Sequence, residues 1–179
     1  MKKIFIIGIF ILFILGCGLY TNIPSQVHIV QDKDSPLIAK VIYNTDSNKI
    51  TYTIQNPTLT LETEPGSIGV TYNKISIKYL PEEYLSQYKI TTNVVITGEL
   101  RVGSSHFRDK DGNLIISRGS TELPVINPQI IALGTPQSHG GSGISTQISA
   151  EVLLEGTDDA GFPASFTVNI PINFLISGK

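Results

Sequence analysis

The last third of the chain, Gly143 to Ser177, alternates apolar and polar residues in two runs. The apolar positions are Ile144, Ile148, Ala150, Val152 and Leu154 in the first run, and Phe162, Ala164, Phe166, Val168, Ile170, Ile172, Phe174 and Ile176 in the second. Because a turn-rich pentapeptide separates the runs, the pattern predicts a long antiparallel hairpin with one buried face. A fold-back at Asp159 places Val152 opposite Phe166, so that apolar side chains meet across the hairpin.

Shorter apolar runs predict further strands upstream. These strands lie at Val27–Val30, Leu37–Tyr43, Lys49–Gln55, residues 59–61, Ile68–Leu80, residues 94–102 and Leu114–Ser117. Within Ile68–Leu80 the apolar phase changes by one residue. A regular strand cannot absorb such a slip, so we expect a bulge or tight turn at Asn73-Lys74.

Helical signals are scarce outside the first residues of the chain. The segment from Pro81 to Leu85 is typical of one or two helical turns, because a proline stands at the start with acidic residues after it. Pro124 and Pro128 indicate that Glu122–Leu133 is an edge strand or an irregular crossing segment. Residues 134–143 are rich in glycine and serine and predict a flexible loop.

Many short strands, frequent turns and almost no helix predict an all-β fold. The expected architecture is an antiparallel β-sandwich, immunoglobulin-like with Greek-key connections, that ends in the long C-terminal hairpin. A β-barrel is the alternative. Pro171 favours the sandwich, because a proline within a strand needs a side that has no ladder partner.

The chain begins with a segment typical of secretion. A basic head, Met1-Lys2-Lys3, precedes an apolar run from Ile4 to Leu15 that has the length of a signal-peptide core. The run ends in Ile14-Leu15-Gly16-Cys17, which resembles the lipobox of bacterial lipoproteins. This resemblance implies cleavage between Gly16 and Cys17, and attachment of palmitate-like acyl chains to Cys17. An uncleaved helix anchor with an incidental cysteine is the alternative.

These features divide the chain into a removed signal peptide at 1–16, a lipidated cysteine with its tether at 17–34, and a single sandwich domain at 35–179. Cys17 is the only cysteine, so the mature chain has no internal disulfide. Thirteen basic residues less Lys2 and Lys3 leave 11 against 15 acidic residues, a net charge of −4 for the mature chain. With no basic run, nucleic acid is not an expected partner.

The pattern from Ile68 to Ser177 is similar to that of small bacterial envelope lipoproteins to which no activity is assigned. The segments that carry the resemblance are SIGVTYNKISIKY, ITTNVVITGEL, ELPVINPQI and the closing hairpin, ISTQISAEVLLEGTDDAGFPASFTVNIPINFLIS. Its most specific part is the GTDDAG turn, Gly156 to Gly161. The resemblance implies a β-sandwich outside the cytoplasm and a membrane-anchored place in the cell envelope. In a cell with two membranes this is the outer one, because no Asp follows Cys17.

No residue pattern indicates an enzyme or a cofactor. His28, His106 and His139 lie far apart, and none stands at ligand spacing with another His or a Cys, so a zinc site is not predicted. Ser104-Ser105-His106 and Ser138-His139 place hydroxyl beside imidazole. Adjacent strand residues point to opposite faces, however, so neither is expected to pair a nucleophile with its base. We therefore predict no catalytic residues and no cofactor.

Two acidic turns are the candidates for binding a metal ion. Asp109 and Asp111 precede Gly112 as in the opening of a calcium loop, but the closing glutamate is missing, and an Asp-Gly hairpin turn explains the same residues. Asp158 and Asp159 are typical of a turn as well. We expect turn formation at both places and keep these four aspartates as calcium candidates.

The sequence thus predicts a lipid-anchored envelope protein that is a non-enzymatic structural, assembly or adhesion module. Its expected partners are membrane lipid, through acylated Cys17, and an envelope protein bound by a sheet edge or by loops. The alternative is a lipoprotein that binds a small molecule or glycan for a transport system. An apolar pocket with a few polar groups favours the alternative, and a filled core with exposed edge strands favours the first interpretation.

Overall fold

The structure is a computed structural model that describes residues 25–31, 36–45, 50–144 and 146–177. Its strands are β1 (Val27–Ile29), β2 (Ala39–Asn44), β3 (Thr51–Gln55), β4 (Thr58–Thr63), β5 (Val70–Leu80), β6 (Asn93–Val102), β7 (Arg118–Glu122), β8 (Ile148–Asp158) and β9 (Pro163–Ser177). Its helices are α1 (Glu82–Ser86), α2 (Pro128–Gly134) and a 3₁₀ turn (Gln137–His139). The helical turn predicted after Pro81 is α1, and the loop predicted at 134–143 contains the 3₁₀ turn.

The strands form two sheets, and the predicted all-β sandwich is confirmed. The small sheet has the order β1-β4-β7, and the large sheet has the order β3-β2-β9-β8-β5-β6. The large sheet curls into a half-barrel that does not close, since β3 and β6 are its two outer strands. One pairing departs from the antiparallel prediction, because β2 runs parallel to β9 with Ala39 opposite Ile172. A parallel pair needs a long crossover, and all the strands from β3 to β8 lie between these two.

The predicted C-terminal hairpin is β8 and β9, but its register differs from the prediction by two residues. Val152 is opposite Val168, and the partner of Phe166 is Leu154. The hairpin therefore turns about Ala160 and not about Asp159. Because side chains alternate with a period of two, the same residues face the core in either register.

The central strands share rows of apolar side chains. Val152 lies between Ile77 of β5 and Val168 of β9, and all three are buried. β5 contains the predicted bulge, since its register with both neighbours shifts between Tyr72 and Lys74. The extra residue lets β5 bury side chains on both sides of the phase slip.

Residues 122–133 and 114–117 differ from their predictions. The first segment leads into α2, which begins with Pro128 after an Asn127 N-cap whose Oδ1 accepts a hydrogen bond from the Ile130 N–H at 2.9 Å. α2 buries Ile130 and Leu133 over the core. The second segment contains no strand of the sheets, since β7 begins only at Arg118 and residue 114 forms an isolated bridge.

Three stretches of the large sheet lack a ladder partner on one side among the described residues. Two are the outer sides of β3 and β6, and the third is β9 before Ile172, where the pairing with β2 begins. Pro163 and Pro171 bracket this part of β9. Pro171 thus has the partner-free side that the sequence predicts for it, and the two prolines limit further pairing there because they have no N–H to donate.

Candidate functional sites: the open edge of β3 and the loop end

β3 is an outer strand with no protection against pairing. Its sequence, Thr51-Tyr52-Thr53-Ile54-Gln55, contains no charge, proline or glycine, and every residue in it is exposed. Tyr52 lies opposite Tyr43 and Ile54 opposite Val41, and both of these β2 residues are fully buried. Tyr52 and Ile54 therefore share the core-side face of the sheet, yet they are 53% and 43% exposed.

Ile176 of β9 extends this uncovered apolar surface. It pairs with Tyr43 in the same row as Tyr52 and is also exposed. Tyr52, Ile54 and Ile176 are called the apolar strip below. Tyr52 and Ile54, the strip residues on β3 itself, lie beside its free side, so backbone pairing and apolar contact are available at one place.

The other outer strands carry charged or titratable residues. β6 contains Glu99 and Arg101, β7 contains Arg118 and Glu122, and β1 is only three residues long and contains His28. Such residues on edge strands discourage pairing with another chain. Among the strands of the described residues, β3 is therefore the edge best suited to accept a further strand.

The second candidate site is the end of the sandwich where β5 begins and β6 and β8 end. The loops at 64–69 and 103–117, the turn at 159–162 and the start of the described chain meet there, and this region is called the loop end. Ser25 Oγ donates to the Ile68 carbonyl at 2.8 Å. The Ser105 N–H donates to the Ser67 carbonyl at 2.9 Å. Ser25, at the start of the described chain, and the 103–117 loop are thus hydrogen-bonded to the neighbouring residues Ile68 and Ser67.

An ion pair joins β6 to the turn between β8 and β9. Arg101 donates to Asp159 from Nη1 at 2.5 Å and from Nη2 at 2.9 Å. Asp159 Oδ2 also accepts from the Gly69 N–H and from Ser104 Oγ, each at 3.2 Å. The hydrogen bonds from Arg101 hold the pKa of Asp159 below its ordinary value of 3.8, although burial acts in the opposite direction. Both carboxylate oxygens of Asp159 thus accept hydrogen bonds from neighbouring parts of the fold.

Asp158 stabilises the same turn through hydrogen bonds to residues within it. Its Oδ1 accepts from the Ala160 N–H at 3.0 Å and from the Phe162 N–H at 2.9 Å. These are the bonds of a turn-forming aspartate, which is the role that the sequence predicts. The side chain is buried, and its Oδ2 has no hydrogen-bond partner within the described part of the chain.

Asp109 organises the other acidic turn. Its Oδ1 accepts from the N–H groups of Asp111 and Asn113 at 2.9 and 2.8 Å. These hydrogen bonds lower the pKa of Asp109, and the bond from Asn113 has the largest effect. Asp111 is exposed. Within the described part of the chain, no three His, Cys, Asp or Glu side chains form a group that could hold a metal ion. Each acidic turn is thus explained by its own hydrogen bonds.

The histidines lie in three separate settings. His28 contacts Glu64 at 2.9 Å, and the ring of His106 lies 4.1 Å from that of Phe107. His139 Nδ1 lies 3.0 Å from Ser138 Oγ. The expectation that adjacency keeps this pair apart was wrong, because the two residues lie in the 3₁₀ turn and not in a strand. Both are exposed, and no carboxylate contacts His139 among the described residues.

A buried hydroxyl network supports the loop end, and the sequence analysis did not predict it. Thr63 Oγ1 lies 2.6 Å from Ser105 Oγ, and both residues are fully buried. Thr63 also donates to the Gly103 carbonyl at 2.9 Å, and the Ser117 N–H donates to Ser105 Oγ at 2.9 Å. Every hydroxyl in this group is partnered, so the network stabilises the loops.

A cavity of about 370 Å³ opens between the sheets at the loop end. Residues 25–27 line one side, residues 163–166 line another, and Glu64 and Tyr72 complete the wall. Gly156 pairs with Tyr72, and a Cβ there would lie 1.9 Å from the Thr71 carbonyl oxygen, so only glycine fits. Burial raises the pKa of Tyr72 to about 12.

Gly16 and Cys17, the predicted cleavage and lipidation residues, lie outside the described part of the chain. No helix among the described residues is long and apolar enough to cross a membrane. In comparisons with protein-family models, curated proteins and solved structures, nothing matches this chain. The resemblance to envelope lipoproteins therefore stays a prediction.

Proposed function

We propose that this protein is a lipid-anchored module of the cell envelope that binds another envelope protein through the open edge of β3 and catalyses no reaction. The observation that carries the proposal is β3 itself, which is exposed, uncharged and without a neighbour on its outer side among the described residues. The lipid anchor is supported by Gly16-Cys17 at the end of the apolar leader. It attaches the module to the membrane through acyl chains.

Strand addition is the mode of binding that this surface favours. An extended segment of a partner would form main-chain hydrogen bonds with the outer side of β3. Its apolar side chains would cover the apolar strip, where Tyr52 and Ile54 are already ordered on a strand. Natural edges of this kind are normally protected by lysine, proline or a bulge, and β3 has none of these.

The test is capture of the partner from detergent-solubilised envelope with the full-length, lipidated protein as bait. Ile54→Lys puts a charge on the strip and should abolish capture of any protein that binds through β3. The control is Val95→Lys, which changes a residue of similar shape on the other outer strand of the same sheet, where Val95 is 63% exposed. Both variants should fold, because substitutions at exposed positions change stability by about 0.5 kcal/mol or less.

A protein that is captured by the wild type and by Val95→Lys but not by Ile54→Lys supports the proposal. Equal capture by all three baits would show that β3 is not the binding surface. Circular dichroism of both variants separates loss of binding from loss of fold.

The cavity at the loop end favours the second candidate, a lipoprotein that binds a small molecule or glycan. Its volume of about 370 Å³ lies at the lower end of the range for ligand sites, about 300–1,000 Å³. Tyr72 and Phe166 provide apolar surface, and Glu64 and Ser165 provide polar groups. If this function is the correct one, Ala164→Phe should remove ligand binding while Ile54→Lys leaves it unchanged.

A further inference from the structure

The loop between β6 and β7 contains a small hairpin with exposed apolar side chains. Residues 106–116, here called the finger, are held by a hydrogen bond from the Ile115 N–H to the Phe107 carbonyl at 2.9 Å and by a bridge between residues 108 and 114. Phe107 and Ile115 are thus opposite each other, which places their side chains on one face of the finger. Both are exposed, as is Ile116 next to them.

The finger starts close to the point where the chain enters the domain. Ser105, at its base, is hydrogen-bonded to Ser67, and Ser25 is hydrogen-bonded to Ile68. The predicted lipidation residue, Cys17, precedes Ser25 by eight residues in the sequence. At most about 3.6 Å per residue, this segment spans no more than about 29 Å. An anchor at Cys17 would therefore keep Ser25, and with it the loop end of the sandwich, within about 29 Å of the bilayer surface.

We propose that the finger rests in the interfacial layer of the membrane that holds Cys17, with Phe107 and Ile115 among the lipid headgroups and upper acyl chains. This inference rests on the lipid anchor of the proposed function. The acyl chains on Cys17 hold the protein at the bilayer, and an apolar contact close to this anchor adds buried apolar area to the membrane binding. It also fixes which end of the sandwich faces the bilayer.

The contact is apolar and not electrostatic. The finger carries two basic residues, Arg108 and Lys110, and two acidic residues, Asp109 and Asp111. Arg108 already donates to the Gly112 carbonyl at 2.6 Å. With no net charge on the finger, we expect the same contact with zwitterionic phosphatidylcholine as with anionic phosphatidylglycerol.

The experiment places a fluorophore on the lipidated, full-length protein in phosphatidylcholine vesicles. Ile116→Cys in the finger and Tyr88→Cys at the opposite end of the large sheet change residues that are 36% and 39% exposed. The acylated Cys17 has no free thiol, so a thiol-reactive, environment-sensitive dye labels only the new cysteine. The readout is quenching of the dye by spin-labelled lipid. The control is a Cys17→Ser version of each protein produced without residues 1–16, which lacks both the apolar leader and the acyl chains.

We expect quenching at position 116 to exceed that at position 88 by about twofold or more, since interfacial side chains lie about 5–10 Å deep. Adding Phe107→Asp to the finger variant should reduce quenching at position 116 while the protein still floats with the vesicles. Equal quenching at both positions in floating protein would overturn the membrane contact alone. If the protein with Cys17 floats no better than Cys17→Ser, the lipid anchor itself is wrong.

Discussion

Arg101 and Asp159 show how single residues hold the loop end together. Asp159 accepts from Arg101, Ser104 and the Gly69 N–H, so one carboxylate connects β6, the turn after β8 and the loop before β5. The sequence identifies Asp159 as a turn residue, because aspartate is frequent in turns. It gives no indication of Arg101, since the two residues are 58 positions apart and only the folded sheet brings them together.

The ion pair makes stability depend on pH in acid. The pKa of Asp159 is lowered by Arg101, so the carboxylate stabilises the fold fully above its ordinary pKa of 3.8, and this contribution is lost as the pH falls below 3.8 through the lowered pKa. Asp159→Asn should therefore be less stable than the wild type at neutral pH, and the difference should shrink below pH 3.8. Urea unfolding across this range measures it. Asp111→Asn, at an exposed tip position, is the control. A difference that does not change with pH would contradict a role of the charge.

Among the elements, the C-terminal hairpin was predicted well and α2 was not predicted. Strict alternation determines which residues of β8 and β9 face the core, but not the register, which depends on the turn. Asp158 accepts from the Ala160 and Phe162 N–H groups, and these bonds centre the turn on Ala160. For α2, the signal was present in Asn127-Pro128, an N-cap followed by a proline at the first helical position. With Pro124, this proline instead led to the prediction of an edge strand or an irregular crossing segment.

The cap of α2 can be tested directly. Asn127 Oδ1 accepts from the Ile130 N–H, and Nδ2 donates to the Tyr79 hydroxyl at 3.2 Å. Asn127→Ala should lower the free energy of unfolding by about 1 kcal/mol, the usual effect of removing an N-cap. Asn127→Asp keeps the acceptor and loses the donor to Tyr79, so it should cost less. Equal losses in the two variants, measured by urea unfolding, would show that the cap contributes nothing.

At the scale of the whole molecule, the two proposed surfaces lie at opposite ends of β9. The finger belongs to the loop end, where β9 begins, and β3 lies two strands from residues 172–177 at its far end. At about 3.3 Å per residue, the twelve steps from Pro163 to Leu175 span about 40 Å along the strand. If the loop end faces the bilayer, β3 would thus lie well away from the membrane surface, within reach of another envelope protein.

The all-β fold could be predicted from the sequence, but the uncovered edge could not. Alternation at Tyr52 and Ile54 indicates a strand with one apolar face, and such a face is usually buried. Whether it is covered depends on where the small sheet and α2 end, which is decided by contacts between residues far apart in the chain. The cavity could not be predicted for the same reason, since the residues that line it, 25–27 and 163–166, are far apart in the chain.

Pairing of β3 with a strand of another envelope protein can be detected by photocrosslinking in intact cells. A photoreactive amino acid replaces Thr53 in the middle of β3 or, as the control, Val95 near the start of β6. We expect one discrete crosslinked species from position 53, joined to a second protein and lost with Ile54→Lys, and no such species from position 95. Crosslinks from position 53 only to residues 1–24 of the same chain, or an identical pattern from both positions, would contradict it.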